Sequence, residues 1–221
     1  MRPKLLAFDT TADRLTLALD DGRTVRARLA RAGVEQDELL TPEAERLLRA
    51  AKLELADLDA FVAATGPGRF TGIRVGLTFA GVLARALGKR AVGVSWLEAC
   101  AWRAAPTPGR VVAVLPGWKG ELFFQAFERL ATTVRPLEAP RWCVPEDFAR
   151  TLGPRLGSGE FRLVGPAAGK ALALAPAARL AEVDDRPLAA ADLLAPARER
   201  LEAGRTEALE PLYIKPAHYE R

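Results

Sequence analysis

The chain has 221 residues, of which 49% are hydrophobic and 27% charged, so it can bury a core as one large domain or two small ones. No apolar run of about 18 residues is free of charges, and the first residues lack the apolar core of a signal peptide, so we expect neither a membrane span nor secretion. The 32 basic and 28 acidic residues are interleaved, which argues against a block that binds nucleic acid. These features predict a globular cytoplasmic protein.

The rarer residue types add two expectations. Cys100 and Cys143 are far apart and in no CxxC pattern, which predicts two reduced, buried thiols. The sequence contains no asparagine, only two glutamines and one methionine, and this shortage of labile residues indicates a thermophilic source.

The first hundred residues alternate between strand and helix patterns. Apolar or alternating runs predict strands at 4–10, 15–19, 25–29, 61–64 and 90–95, and apolar residues at helical spacing predict helices at 38–52, 73–87 and 96–103. The turn Asp20-Asp21-Gly22 suits a hairpin between the second and third strands.

A change of composition follows residue 103. Residues 104–109 resemble a linker, and 13 of the 16 prolines come after residue 105, which predicts lobes at 1–103 and 110–221. In the second lobe we expect strands at 110–115, 121–127, 134–137 and 161–164, and helices at 145–152, from 166 and at 189–203. We expect the last helix to pack back on the first lobe.

The stretch from Gly66 to Gly76, GPGRFTGIRVG, joins a buried strand to a helix. Gly66, Gly68 and Gly72 relieve backbone crowding, and Thr71 is placed to cap the helix. A helix N-terminus after such a turn favours an anion, so the turn is either a phosphate cradle or a close packing contact between helix and sheet. The spacing is not GxGxxG, and no Walker lysine follows.

Three segments together resemble the TsaB (YeaZ-type) family of bacterial tRNA threonylcarbamoyladenosine synthesis. They are Leu5-Leu6-Ala7-Phe8-Asp9-Thr10-Thr11 in and after the first strand, the Gly66–Gly76 junction, and Glu210 to Lys215 near the end of the sequence. The resemblance implies an α/β fold with two ribonuclease-H-like lobes of the actin and sugar-kinase (ASKHA) superfamily. It also implies a non-catalytic subunit that pairs with the catalytic TsaD, with the ATPase TsaE as a further partner, and that meets tRNA only through the complex.

The superfamily resemblance also suggests a nucleotide site. Its first-strand loop holds phosphate and, through water, Mg²⁺, which implies a site at Asp9, Thr10, Thr11, Gly66, Gly68 and Thr71. A turn capped by its own Asp and Thr side chains is the alternative. The second lobe begins Val114-Leu115-Pro116-Gly117-Trp118, without a carboxylate for catalysis, so we expect no cofactor, and whether a nucleotide binds stays open.

Metal and nucleophilic catalysis need side chains that this sequence lacks. Its one histidine, His218, cannot form an HxxxH or HExxH pair, and the same shortage removes Ser-His-Asp and Cys-His arrangements. We therefore predict no catalytic residue and no metal ligand.

A stripe of small residues recurs every four positions in the helix after the junction, at Gly72, Gly76, Ala80 and Ala84. Such a stripe lets another backbone approach, and the companion is either a neighbouring element or another subunit. The obvious neighbouring element is the 38–52 helix. TsaB-like proteins pair through these two helices with TsaD, and with themselves when alone, so the resemblance favours an interface. Its predicted residues are Leu40, Ala44, Leu47, Gly72, Gly76, Ala80, Leu83 and Ala84.

Two other functions remain open. One is a nucleotide-dependent phosphotransferase that uses Asp9, Thr10 and the 66–72 turn, and the other is a stand-alone homodimeric binding protein. Measured nucleotide affinity distinguishes the phosphotransferase from the scaffold subunit. Co-purification with a catalytic subunit distinguishes the scaffold subunit from the stand-alone binding protein.

Overall fold

The computed structural model describes residues 2–30, 36–156, 160–174, 180–205 and 209–215. The strands are β1 (Leu5–Asp9), β2 (Leu15–Asp20), β3 (Val25–Ala30), β4 (Ala60–Gly66), β5 (Arg90–Ser95), β6 (Gly109–Pro116), β7 (Leu122–Arg129), β8 (Val134–Pro136), β9 (Arg141–Cys143), β10 (Phe161–Val164) and β11 (Leu180–Asp184). The α-helices are α1 (Gln36–Ala51), α2 (Phe70–Leu87), α3 (Trp96–Arg103), α4 (Phe148–Leu156), α5 (Ala168–Leu174) and α6 (Leu194–Glu202).

The predicted elements of the first hundred residues are all present. In the second half β9 and β11 were not predicted, and the last predicted helix begins as the 3₁₀ helix Ala190–Leu193 before α6. Helix α4 begins at Phe148, after a 3₁₀ turn that carries Pro145.

The chain divides into two compact units, residues 1–96 with 189–212 and residues 97–188 with 213–221. This division differs from the predicted boundary at residue 103, because α3 from Leu97 onwards groups with the second unit. The segment with α6 groups with the first unit, the lobe on which we expected the last helix to pack.

The first unit contains a five-stranded sheet in the order β3-β2-β1-β4-β5, with β1, β4 and β5 parallel and β2 and β3 antiparallel. Helices α1 and α2 cover one face, and residues 190–202 pack against the same sheet. Because the central strands are enclosed, β1 and β4 are buried along their whole length, which explains their uninterrupted apolar sequences.

Helix α2 is the one described helix that is long and apolar enough to cross a membrane by length and composition. Its Ile73 and Leu77 nevertheless lie in the core of the first unit, against the sheet. An apolar face that packs on a sheet is typical of a core helix.

The second unit contains a sheet in the order β11-β10-β6-β7-β8, with β9 paired to β7. The β6–β7 hairpin is antiparallel, while β10 runs parallel to both β6 and β11. Helices α4 and α5 cover one face, where Phe124 and Phe148 pack edge to face with ring centroids 5.6 Å apart. The two cysteines are buried and unpaired, as predicted.

Candidate functional site

The three segments that carry the family resemblance contact one another in the first unit, which includes the last of them up to residue 212. The turn after β1 accepts a hydrogen bond at the Thr11 carbonyl oxygen from the Arg69 amide, 2.7 Å away. The Thr10 hydroxyl donates to the Gly72 carbonyl oxygen at 2.6 Å, and the Leu212 amide donates to the Thr65 carbonyl oxygen at 2.8 Å. These bonds join the end of β1, the β4–α2 turn and the returning tail.

Asp9 is buried at the centre of this junction. Its Oδ1 accepts the Thr11 amide at 2.9 Å and the Thr11 hydroxyl at 2.6 Å, and that hydroxyl accepts the Trp96 indole N–H at 2.8 Å. Burial raises the pKa of Asp9 and outweighs the hydrogen bonds from Thr11, which lower it. The carboxylate therefore caps its own turn. This is the arrangement predicted from the sequence as the alternative to a nucleotide site.

The glycines of the junction permit backbone contact. A Cβ at Gly72 would lie 1.9 Å from the Thr10 carbonyl oxygen, and one at Gly68 would lie 2.6 Å from the Thr11 carbonyl oxygen. Gly66 has φ +106°, and its Cβ would meet the Ile73 side chain at 2.8 Å. The motif thus brings α2 onto the turn after β1 with no room for a methyl group between them.

The structure brings together the six residues that we expected at a nucleotide site, but most of their polar groups bond to the protein itself. Asp9, Thr10 and Thr11 are buried. The expected cap is wrong: α2 begins at Phe70 after Arg69, and exposed Thr71 lies one residue inside the helix, because the chain turns earlier than the apolar pattern indicated. The junction therefore holds α2 against the turn after β1.

The structure also revises the predicted subunit interface. Most of its residues are buried inside the first unit, namely Leu40, Ala44, Leu47, Gly76, Ala80 and Ala84. The small side of α2 packs against the turn after β1, because a Cβ at Gly76 would lie 2.6 Å from the Thr10 hydroxyl oxygen. The stripe therefore serves close packing within the unit, and the other two residues of the predicted set, Gly72 and Leu83, are half-buried.

The opposite side of α2 is exposed, and we call Phe70, Arg74, Thr78 and Val82 its outer side. Val82 is 60% exposed and Phe70 46%, and the Arg74 guanidinium lies 3.9 Å from the centre of the Phe70 ring. Sequence reasoning passed over these residues as a set. Their four-residue spacing was a usable signal, because it places them on one line along a helix.

A metal site and a reactive thiol are two further kinds of catalytic group to consider in the described part of the chain. Within it, no three His, Cys, Asp or Glu side chains are grouped to hold a metal ion, and His218 lies outside it. Burial, aided by the charge of Asp147, raises the pKa of the Cys143 thiol to about 11, so this thiol is protonated at neutral pH.

The structural role of Asp9 leads to a prediction. Asp9→Ala removes the acceptor of both Thr11 bonds and should lower the free energy of unfolding by about 1–3 kcal/mol. Asp9→Asn keeps an oxygen acceptor and removes the buried charge, so it should lose less. The pKa of Asp9 is raised in the folded state, so the parent loses stability as the pH rises and the buried carboxyl ionises. The asparagine variant has no such group, so the difference in unfolding free energy between parent and Asp9→Asn should shrink as the pH rises.

Urea unfolding of the parent and both variants between pH 5 and pH 8 measures these differences. An equal loss of stability in the two variants at every pH would show that the negative charge itself is required, as for a residue that holds a cation.

Comparison with known proteins extends these observations. The family model for TsaD, tRNA N6-adenosine threonylcarbamoyltransferase, matches residues 31–161. The tRNA threonylcarbamoyladenosine biosynthesis protein TsaB of Escherichia coli K12 is 30% identical over 128 residues, which are 57% of this chain and 55% of that protein. The chain therefore spans about half the length of this curated relative.

Two further similarities cover more of the chain. An uncharacterized protein of Mycobacterium tuberculosis H37Rv is 31% identical over 172 residues, which are 74% of this chain and 69% of that protein. The solved structure of YeaZ from Pseudomonas aeruginosa has a TM-score of 0.77 at 24% identity and covers 96% of this chain and 99% of its own.

The YeaZ match and the TsaD-like family model confirm the predicted fold of two ribonuclease-H-like, actin-like lobes. The TsaD family model matches more than half of the sequence, and the similar proteins include TsaB of E. coli and the YeaZ structure; together these comparisons show that the chain belongs to the TsaB (YeaZ-type) family.

Proposed function

We propose that the chain is a non-catalytic subunit of the machinery that makes threonylcarbamoyladenosine at position 37 of tRNA, and that it pairs with a TsaD-like catalytic subunit. The name of its E. coli relative supports the pathway. The closed turn at Asp9 carries the non-catalytic part of the proposal. There the Gly72 backbone lies against Thr10 so closely that a Cβ would come within 1.9 Å of a carbonyl oxygen.

The same observation argues against the phosphotransferase alternative. A phosphate at this turn would need free N–H groups, but the Thr11 amide already bonds to Asp9 and the Arg69 amide to Thr11. The proposed subunit therefore has no nucleotide cofactor of its own, and its further partners are a TsaE-like ATPase and, in isolation, a second copy of itself.

The outer side of α2 is the surface that we assign to the catalytic partner. The opposite side of the helix is packed against its own unit, whereas Phe70 and Val82 are exposed on the outer side, with Arg74 and Thr78 between them. Because the rest of the helix packs against its own unit, this exposed line of residues is the side of α2 that another protein can reach. This assignment replaces the buried stripe and retains the helix.

The pathway is tested in the organism that encodes the chain. Deleting its gene should remove threonylcarbamoyladenosine from digested tRNA, as measured by mass spectrometry of nucleosides. The parent sequence and Asp9→Asn should both restore it. Unchanged nucleoside content after deletion would contradict the pathway, and failure of a stably folded Asp9→Asn protein to restore it would contradict the non-catalytic role.

The surface is tested by a charge at Val82, the more exposed of its two apolar residues. Val82→Arg should weaken association with the TsaD-like subunit roughly 10- to 100-fold, because it places a hydrated cation in an apolar contact. Isothermal titration calorimetry measures the affinity, and thermal unfolding should stay within a degree or two of the parent because the residue is exposed.

Val25→Arg is the matched control, because Val25 is 47% exposed on the edge strand β3 of the same unit. It should leave the affinity unchanged. Leu47→Arg is unsuitable as a probe because Leu47 is only 3% exposed, so an arginine there would unfold the protein. Full affinity in Val82→Arg would reject this surface.

A further inference from the structure

The turn between β6 and β7 presents a tryptophan to solvent in the second unit. Trp118 is 73% exposed, more than any other large apolar side chain in the described ranges. Indole rings are normally largely buried. An exposed tryptophan therefore indicates a binding surface when the chain holds it in a fixed position.

Several contacts fix this turn. The Gly117 amide donates to the Glu121 carbonyl oxygen at 2.7 Å, and the Glu121 amide donates to the Trp118 carbonyl oxygen at 3.1 Å. From α5, the Lys170 ammonium donates to the Gly120 carbonyl oxygen at 3.0 Å. Lys119 has φ +52°, a conformation that costs free energy in a residue other than glycine. The turn is thus held in one shape that exposes Trp118 and Lys119.

Lysines lie on this turn and among the residues that contact it. Lys119 and Lys170 are exposed, and the one acid of the turn, Glu121, is paired with Lys215 at 2.6 Å. The Lys215 ammonium also lies 4.4 Å from the ring centre of Trp142, which is 38% exposed. The lysines therefore outnumber the acid, although charges are interleaved along the chain as a whole.

We propose that this surface, defined by Trp118, Lys119, Lys170 and Trp142, binds single-stranded RNA. A nucleotide base stacks on the exposed indole of Trp118, and the lysine ammonium groups contact the neighbouring phosphates. Exposed aromatic rings beside cations are how proteins bind unpaired nucleotides, whereas protein contacts favour aromatic side chains in desolvated, uncharged centres. Direct contact of this kind goes beyond the expectation that tRNA is met only through the complex.

The RNA probe is a fluorescently labelled tRNA anticodon stem-loop. The choice of this RNA rests on the proposed function, whereas the surface itself is inferred from the structure. Fluorescence anisotropy with the full chain alone should show binding that weakens with salt. Trp118→Ala should weaken it about tenfold or more, and Trp118→Phe should retain most of it, since stacking needs an aromatic ring. Lys119→Gln should reduce the slope of log affinity against log salt concentration by about one.

Arg23→Gln is the control for charge, because it removes an exposed cation from the first unit and should leave the affinity unchanged within about twofold. Thermal unfolding of each variant should match the parent, since the substituted side chains are exposed. Absence of binding at low salt, or equal affinity in Trp118→Ala, would overturn the proposal.

Calorimetry with the TsaD-like subunit tests whether Trp118 contacts a protein instead of RNA. Weaker protein association in Trp118→Ala, with RNA affinity unchanged, would assign the turn to a protein contact and overturn the RNA assignment. Because RNA binding is measured on the isolated chain, its failure leaves the proposed subunit role intact, and the nucleoside content of tRNA tests that role separately.

Discussion

Gly72→Ala is expected to lower the free energy of unfolding by about 3 kcal/mol or more, because the new methyl group would meet backbone atoms that cannot rotate away. Its Cβ would lie 1.9 Å from the Thr10 carbonyl oxygen and 2.9 Å from the carbonyl carbon. Relief requires α2 to move away from the turn after β1, which breaks the 2.6 Å hydrogen bond from the Thr10 hydroxyl. For a chain of this length the melting temperature should fall by roughly 6–12 °C.

Gly81→Ala on the same helix is the matched control. Its Cβ would meet the end of the flexible Leu209 side chain at 3.2 Å, and alanine is favoured over glycine inside a helix by about 0.5–1 kcal/mol. Its melting temperature should stay equal to the parent's or rise slightly. Circular dichroism of the parent and both variants gives the comparison, and equal melting temperatures for the two variants would refute the close contact at Gly72.

The small-residue stripe shows what a helical pattern can and cannot predict. Spacing of four residues correctly predicted a side of α2 that is approached closely. The approaching group is the turn after β1, however, and a pattern within one helix does not identify its neighbour across the fold. Gly76→Leu would therefore disturb the Thr10 hydroxyl at the core before it affected any subunit contact.

The Asp9 turn shows the same limit for chemistry. Asp-Thr-Thr after a strand was compatible with a phosphate site and with a self-capped turn, because both use the same side chains. The difference lies in the positions of the Thr11 amide and of Gly72, and neither is encoded locally. By contrast, β1 and β4 were predictable, because burial on both sides gives continuous apolar runs.

The second unit was less predictable for physical reasons. Strand β9 has three residues and β11 lies at an edge, so neither needs a strong alternating pattern. The return of residues 189–212 to the first unit depends on contacts distant in sequence, such as the Ala190 amide with the Thr16 hydroxyl at 2.8 Å. Composition indicated a boundary near residue 104, and the expected packing of the last helix on the first lobe did not follow from composition.

Asp184 forms a buried cluster of ion pairs in the second unit and should contribute strongly to its stability. Its carboxylate accepts Arg186 at 2.7 and 2.9 Å and Arg103 at 2.6 and 3.2 Å, and both the Asp184 and Arg103 side chains are 8% exposed. Hydrogen bonds from Arg186, then those from Arg103, hold the pKa of Asp184 well below its ordinary value despite burial.

Asp184→Asn is therefore expected to lower the free energy of unfolding at pH 7 by about 2–4 kcal/mol. It removes the negative charge beside the buried Arg103 guanidinium, whose other hydrogen bonds include those to the backbone carbonyl oxygens of Arg186 and Pro187. Because the pKa of Asp184 is lowered in the folded state, its contribution is complete above the unfolded-state pKa of about 4 and is lost as the pH falls below it.

Urea unfolding at pH 7 and at pH 3 tests both the size of the loss and its direction with pH. The difference between parent and variant should be largest at pH 7 and should shrink at pH 3. Asp147→Asn is the control, because Asp147 pairs with Arg150 at 2.6 Å in an exposed position, and such pairs contribute little. If Asp184→Asn lost the same stability at both pH values, the loss would come from packing, and the assigned role of the ion pairs would be wrong.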